Sequence, residues 1–296
     1  MMLSERVVIV TGAGQGLGRA EALALAAEGA RVVVGDADVD AGTAVVAQLV
    51  DLGARAVFVA GDVALEQTAA DLVAAALDTF GRLDALVNNA GFVRDRSLLK
   101  MTAQEWDDVT RVHLRGHFVA TQAACRHWRA SGSPGRIVCT SSTAGLWGNF
   151  GQANYGAAKG GIATFSATVA WEMARYGVTC NAIAPSARTR MTAGLFAEPV
   201  EGEFDYWAAE NVTPLVSYLC SQESAGVSGK LFGVQGDSVE LFQPATVVAE
   251  IRNDGRRWAV GQLPDRVAEL FRVSGTTPLA TDPMARLAHS PSATSG

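Results

Sequence analysis

Arg6 to Val10 is a short apolar run rich in β-branched residues, patterned as a buried strand. Runs of the same kind recur at Arg31–Gly35, Arg55–Ala60, Leu83–Val87, Arg136–Thr140, Val178–Ala184 and Lys230–Val234. Between them lie segments with helical spacing, at about 19–28, 39–52, 65–80, 102–130, 153–176 and 213–221. The segment from Thr102 opens on a capping box, with Thr102 as N-cap and Glu105 three residues on. Ser131-Gly132-Ser133-Pro134-Gly135 breaks it. Strands that read apolar throughout are buried on both faces. Seven of them alternating with helices predict an α/β fold, a parallel sheet with helices on both faces.

The alternation stops at Gly236. Residues 1–236 form one domain by this pattern, and 237–273 an extension packing on it. In that extension Val239–Phe242 and Val247–Arg252 read as strands. Asn253-Asp254-Gly255 before Arg256–Val260 is a hairpin signal, and Pro264–Val273 has the spacing of a short amphipathic helix. The tail 274–296, rich in Ser, Thr and Pro, is expected to be disordered. Gly194–Asn211 interrupts the main pattern and is acidic and aromatic. It fits a lid over a substrate or a plain surface loop.

The first strand runs into Thr11-Gly12-Ala13-Gly14-Gln15-Gly16-Leu17-Gly18, and a helix follows. A strand, a glycine-rich turn and a helix N-terminus make a cradle for a pyrophosphate, because glycines admit close approach and the first helical N–H groups are free. The sheet is therefore expected to be doubly wound and of Rossmann type. The second strand ends at Asp36. A carboxylate there accepts hydrogen bonds from ribose hydroxyls and repels a 2′-phosphate, which selects NAD over NADP. Ala37 follows in place of an arginine. An ordinary N-cap aspartate is the plainer alternative. Asn88-Asn89-Ala90-Gly91 closes the fourth strand where a cofactor would cross the sheet edge.

Tyr155 and Lys159 stand at i and i+4, one turn apart on one helix face. A neighbouring cation favours the phenolate and is expected to lower the phenol from its unperturbed ~10. A phenol so tuned gives or takes a proton at a carbonyl or alcohol oxygen.

Composition narrows the partners. The 296-residue chain is 49% apolar with net charge −6, and no Lys/Arg run exceeds two. Nucleic acid and anionic membrane are excluded as main partners. No apolar run reaches the ~20 residues of a membrane span, and the start has no secretory pattern. The cysteines (Cys125, Cys139, Cys180, Cys220) are widely spaced and only four histidines are present, so no metal is expected. They read as reduced thiols of a cytoplasmic protein.

Taken together, the motifs resemble the short-chain dehydrogenase/reductase family over residues 4–236. The matching residues are Thr11-Gly12 with Gly16 and Gly18, Asp62-Val63, Asn88 to Gly91, Ser142, Tyr155 with Lys159, and Asn181 to Pro185. A narrower likeness, to the (3R)-hydroxyacyl-CoA dehydrogenase part of peroxisomal multifunctional enzyme type 2, is carried by five runs. They are Val112-His113-Leu114-Arg115-Gly116, Gly148 to Tyr155, Ile183 to Ala187, Thr213 to Cys220 and Gly229 to Val234.

The resemblance implies NAD-dependent interconversion of a secondary alcohol and a ketone, with 3-hydroxyacyl-CoA as the leading substrate class. An alcohol or hydroxysteroid dehydrogenase of the same family is the first alternative, and a catalytically silent NAD-binding regulatory protein the second. It further implies that Tyr155 is the general acid/base, Lys159 its partner and a holder of the nicotinamide ribose, and Ser142 a donor to the substrate oxygen. Gly12, Gln15, Gly16, Leu17 and Gly18 would cradle the pyrophosphate. Asp62 and Val63 would meet the adenine, Asn89, Ala90 and Gly91 the ribose side, and Pro185 and Arg188 the nicotinamide loop. His113 occupies the family's catalytic asparagine position, and Ser186 that of a common glycine. His113 is therefore either a relay group or a packing histidine bonded to a backbone carbonyl. Arg188 and Arg190 either meet an anionic substrate such as CoA or are solvated charges. A homo-oligomer, dimer rather than tetramer, is implied, with helices 103–130 and 153–176 paired.

Overall fold

The computed structural model describes residues 1–276 apart from 193, 195, 197 and 244. They fall into two compact units, Met1–Phe242 and the described residues from Gln243 on.

The first unit is an eight-stranded sheet. Its strands are β1 (Val7–Thr11), β2 (Arg31–Asp36), β3 (Ala56–Ala60), β4 (Ala85–Asn88), β5 (Arg136–Thr140), β6 (Thr179–Pro185), β7 (Leu231–Gln235) and β8 (Ser238–Phe242). The order is β3-β2-β1-β4-β5-β6-β7-β8. β1 to β7 are parallel, and β8 returns antiparallel on β7, with Gln235 opposite Ser238. The expected parallel seven-stranded sheet thus gains an eighth strand from the segment read as extension. The two residues Gly236-Asp237 allow only an antiparallel return.

Successive residues of β1 face opposite cores. Val8 and Val10 pack with Leu25 of α1 (Gly16–Ala27), Val45 and Leu49 of α2 (Val39–Asp51) and Val216 of α8 (Thr213–Leu219). Val7 and Ile9 pack with Leu72 of α3 (Glu66–Phe80), Trp128 of α5 (Gly116–Ser131) and Ile162 of α7 (Ala153–Met173). Burial on both faces explains the unbroken apolar runs.

The segment expected as one helix over 102–130 is in three parts: α4 (Ala103–Thr110), a π-helical turn (Arg111–Arg115) and α5. The capping box forms at Thr102 and Glu105 as expected. The π turn leaves no mark in the apolar spacing. A short α6 (Thr143–Trp147) follows β5.

In the second unit α9 (Leu263–Ser274) forms the expected amphipathic helix. Asp254 and Gly255 take φ of 46° and 74°, and the Arg256 N–H donates to Asn253 O at 2.8 Å, so the turn closes. Val247–Arg252 and Arg256–Val260 are not strands, which corrects the hairpin expectation. A lone two-stranded hairpin is marginal without a further layer. The tail from 277 on lies outside the described residues. No helix among them is long and apolar enough to cross a membrane.

Candidate active site

The chain winds outward from β1 to β3, then crosses back to β4, so the switch point lies between β1 and β4. Ligands of open parallel sheets bind beyond the strand C-termini at such a point. A cavity of about 640 Å³ opens there. It runs from Asp36, Asp62 and Val63 at one end, past Gly12, Gln15, Gly16 and Leu17, to His113, Tyr155, Lys159 and Pro185 at the other.

The glycine loop is held from below. Asn89 donates its side-chain amide to Thr11 O and Gly12 O, both at 3.1 Å, and its backbone N–H to Thr11 Oγ1 at 3.0 Å. Gly12 sits at φ +64°, and a Cβ there would stand 2.6 Å from Ala90 Cα. A Cβ on Gly18 would overlap Gly12 O and the Asn89 amide, so Gly18 serves the close approach of α1 and does not line the cavity. The N-cap of α1, Gln15, makes no side-chain bond to the first turn. The first-turn N–H groups are thus left for an anion, which fits the pyrophosphate of a dinucleotide.

Asp36 accepts from the Gly14 N–H at 2.8 Å through one oxygen and from the Asp38 N–H at 2.9 Å through the other. Its carboxylate lines the cavity beside Ala37. Asp62 accepts from the Ala64 N–H at 2.9 Å and from Arg111 Nη1 at 2.5 Å. Burial alone would raise that carboxyl. The Ala64 N–H and Arg111 outweigh it and hold Asp62 below its ordinary value.

At the other end Ser142 caps α6, accepting from the Ala144 N–H at 3.2 Å. Ser141 Oγ donates to Lys159 O at 2.8 Å and pins α7 to the end of β5. Lys159 Nζ donates to Thr140 O at 2.5 Å and lies 5.6 Å from the centre of the Tyr155 ring. Burial lowers this ammonium to about 7. The Tyr155 phenol is raised: burial outweighs the lowering by Ser142, and Asp95 adds to it. The expected lowering by Lys159 is therefore reversed. The ammonium is turned toward Thr140 and itself loses charge through burial.

His113, in the π turn, sets Nε2 against the Phe92 backbone, 3.0 Å from N and 2.7 Å from O. Its ring stands edge-on to Tyr155, and its buried Nδ1 has no hydrogen-bond partner among the described residues. Burial and Lys159 push the imidazole down to about 3. It is thus a neutral donor–acceptor. The backbone bond of the packing reading and the place in the cavity of the relay reading are both present.

The family model for short chain dehydrogenases matches residues 6–199. The chain belongs to the short-chain dehydrogenase family. It is an oxidoreductase acting on CH–OH groups, and the family works with a nicotinamide cofactor. That sets aside the silent binding-protein alternative. Hydroxyacyl-CoA dehydrogenase ChsB1 of Mycobacterium tuberculosis is 46% identical over 284 residues, 91% of this chain and 89% of that one. Peroxisomal multifunctional enzyme type 2 of Mus musculus is 46% identical over 238 residues, 77% of this chain and 31% of that longer protein. The crystal structure of a short chain dehydrogenase from Mycobacterium avium superposes with a TM-score of 0.86, at 46% identity, over 95% of this chain and 99% of that one.

Within this short-chain dehydrogenase most candidate residues meet at one cavity. Ser142, at the N-cap of α6, is not among the cavity's lining residues, and neither is Arg188. Its guanidinium pairs with Asp205 and its N–H donates to Trp207 O at 2.6 Å, so it ties the 194–211 segment to the loop after β6. Arg190 lines the cavity, and Phe196 of that segment reaches it while stacked on Trp207 at 4.2 Å. Sequence reasoning missed Phe92, Arg111 and Glu21. Glu21 lies on the buried face of α1 with both oxygens unpaired among the described residues, and burial raises it to about 8. Its signal was a carboxylate four residues before Leu25 on an otherwise apolar face.

Proposed function

We propose that this chain is an NAD-dependent dehydrogenase interconverting the 3-hydroxyl and 3-oxo groups of acyl-CoA thioesters. The likeness to a hydroxyacyl-CoA dehydrogenase over nearly the whole of both chains carries the substrate class. The Asp36 carboxylate beside Ala37 supports NAD, since a 2′-phosphate there would meet a negative charge.

Tyr155 takes the hydroxyl proton during oxidation and returns it during reduction. Ser142, whose hydroxyl oxygen accepts from the Ala144 N–H, holds the substrate oxygen with its O–H and stabilises charge developing on it. Lys159 uses one of three N–H donors on Thr140, leaving two for ribose hydroxyls. When bound, the oxidised nicotinamide supplies the hydride acceptor and a positive charge. Lys159, at about 7, gives up and takes back a proton near neutral pH, and a neutral His113 can relay one only by donating at one nitrogen and accepting at the other. In the same reading the protein works in the cytoplasm as a homodimer, with α5 and α7 presenting Phe118 and Trp171 to a second copy.

The test is the absorbance of the reduced nicotinamide formed with 3-hydroxyacyl-CoAs, simple alcohols and hydroxysteroids, each with NAD and with NADP. Turnover of the thioesters with NAD is expected. Higher kcat/KM on alcohols or hydroxysteroids would move the substrate class, and preference for NADP would overturn the cofactor.

A further inference from the structure

The π-helical turn Arg111–Arg115 touches both ends of the cofactor cavity. Its middle residue, His113, reaches the Phe92 backbone beside Tyr155. Its two arginines reach the other way. Arg115 Nε donates to Ala64 O at 3.1 Å, and its Nη2 lies 3.4 Å from Glu66 Oε1. Arg111 donates to Asp62 Oδ2 at 2.5 Å, and Arg111 itself lines the cavity.

We propose that Arg111 is a positioning residue for the adenine end of the cofactor, fixing the Asp62 carboxylate so that it accepts the adenine 6-amino group. This rests on the dinucleotide reading above and adds to it a residue that does not itself take part in the chemistry. The loop 62–66 has other restraints. Leu65 N–H donates to Asp62 O at 3.0 Å and Ala64 N–H to Asp62 Oδ1 at 2.9 Å. Arg115 holds its far end. What Arg111 adds is the second carboxylate oxygen, and with it the plane of the group. Each oxygen keeps a free lone pair, and a planar carboxylate held at both oxygens presents them in one direction. An ion pair this exposed adds little to folding, so its effect falls on orientation more than on stability. The Val63 side chain is fixed beside it: a Cβ on Gly116 would come within 2.8 Å of Val63 Cγ1, so the missing Cβ lets that wall seat against α5.

The chemistry predicts a discrimination. Adenine offers an amino donor to Asp62, whereas hypoxanthine offers a carbonyl that the carboxylate repels. Binding of ADP-ribose and of its hypoxanthine analogue is measured by calorimetry for wild type, Arg111→Ala and Arg111→Lys. Steady-state kinetics with NAD and deamino-NAD accompany it. Wild type is expected to favour the adenine forms about tenfold. Arg111→Ala should bring that ratio close to one, through a higher KM for NAD with kcat within twofold, and Arg111→Lys should restore part of it. An Arg111→Ala protein that keeps the wild-type ratio overturns the proposal, as does one that loses kcat with KM and ratio unchanged. If neither dinucleotide supports turnover in wild type, the dehydrogenase reading fails. The ADP-ribose ratio then decides Arg111 by itself.

Discussion

The His113 imidazole stands edge-on to the Tyr155 phenol, ring centroids 5.3 Å apart and planes at 87°. The same ring is pinned by the Phe92 backbone and is neutral across working pH, because burial and Lys159 push it down to about 3. A neutral imidazole relays a proton by donating at one nitrogen and accepting at the other. His113→Ala should therefore lower kcat by about 10²-fold, in the range of lost acid–base assistance. His113→Asn, which also donates and accepts, should recover part of it. Neither change should remove an ionisation between pH 5 and 8, roughly the range of an ordinary histidine. If the wild-type pH–rate profile contains such an ionisation and His113→Ala abolishes it, the imidazole titrates during turnover and the neutral relay is wrong.

Gly91 tests the same ring from outside. A Cβ at this position would overlap His113 Cε1 and Nδ1, so the ring packs directly on the bare backbone. Gly91→Ala must push the imidazole or its π turn aside, at about 1–3 kcal/mol for overpacking. Activity should fall along with the denaturation midpoint. In the background of His113→Ala the same substitution should be nearly neutral for both. A penalty that persists in the double variant would place the clash elsewhere.

The alternation of apolar runs and helical segments was legible because the central runs, β1, β4, β5 and β6, are buried almost throughout, which leaves no polar interruption to misread. The placement of Tyr155 and Lys159 on one helix was legible too, whereas the short α6 that Ser142 caps was not. Three further features were not. The π turn at Arg111–Arg115 adds one residue to a helical turn without altering the hydrophobic stripe. Lys159 was read as a fixed cation, yet its burial against Thr140 is a tertiary fact that i, i+4 spacing does not contain. Arg188 was read toward the cofactor, and only the fold brings Asp205 to it.

Glu21 gives a pH dependence whose sign can be worked out. Its ordinary value is 4.5, and burial raises it to about 8 in the folded chain, with Lys159 pulling weakly the other way. Between these values the unfolded chain has released the proton and the folded chain keeps it. Stability therefore falls as pH rises through that window, and below 4.5 the group makes no difference. Glu21→Gln mimics the protonated form at every pH. Urea midpoints of the two proteins should agree near pH 4.5 and separate up to pH 8 in favour of the Gln variant. The gap should widen by at most about 1.4 kcal/mol per pH unit. Parallel curves would show that Glu21 ionises in the folded protein as it does in the unfolded one.

Trp171 on α7 is 84% exposed, and Phe118 on α5 is 40% exposed. Large aromatics are enriched where a surface is covered by a partner. Trp171→Glu should convert a dimer to a monomer in sedimentation equilibrium and lower its midpoint of thermal unfolding. A wild-type mass of one chain, or of four, would overturn the dimer.

Asp36 does two jobs that a substitution can separate. Its Oδ2 holds the Gly14 N–H of the phosphate loop, and in the proposed NAD reading its charge would face a 2′-phosphate. At about 4 Å and an effective dielectric near 20, two unit charges repel by about 4 kcal/mol, reduced further by solvent at a half-buried site. Asp36→Asn removes the charge and keeps an oxygen for Gly14, leaving the exposed Asp38 N–H to water. The ratio of kcat/KM for NAD over NADP should fall about 10- to 100-fold, most of it as a gain with NADP. Asp36→Ala removes the oxygen as well, and an unpaired loop N–H costs about 1–3 kcal/mol. It should therefore weaken both cofactors and lower the unfolding midpoint, while Asp36→Asn leaves the midpoint nearly unchanged. If the NAD/NADP ratio does not move in Asp36→Asn, the carboxylate braces the loop and does not choose the cofactor.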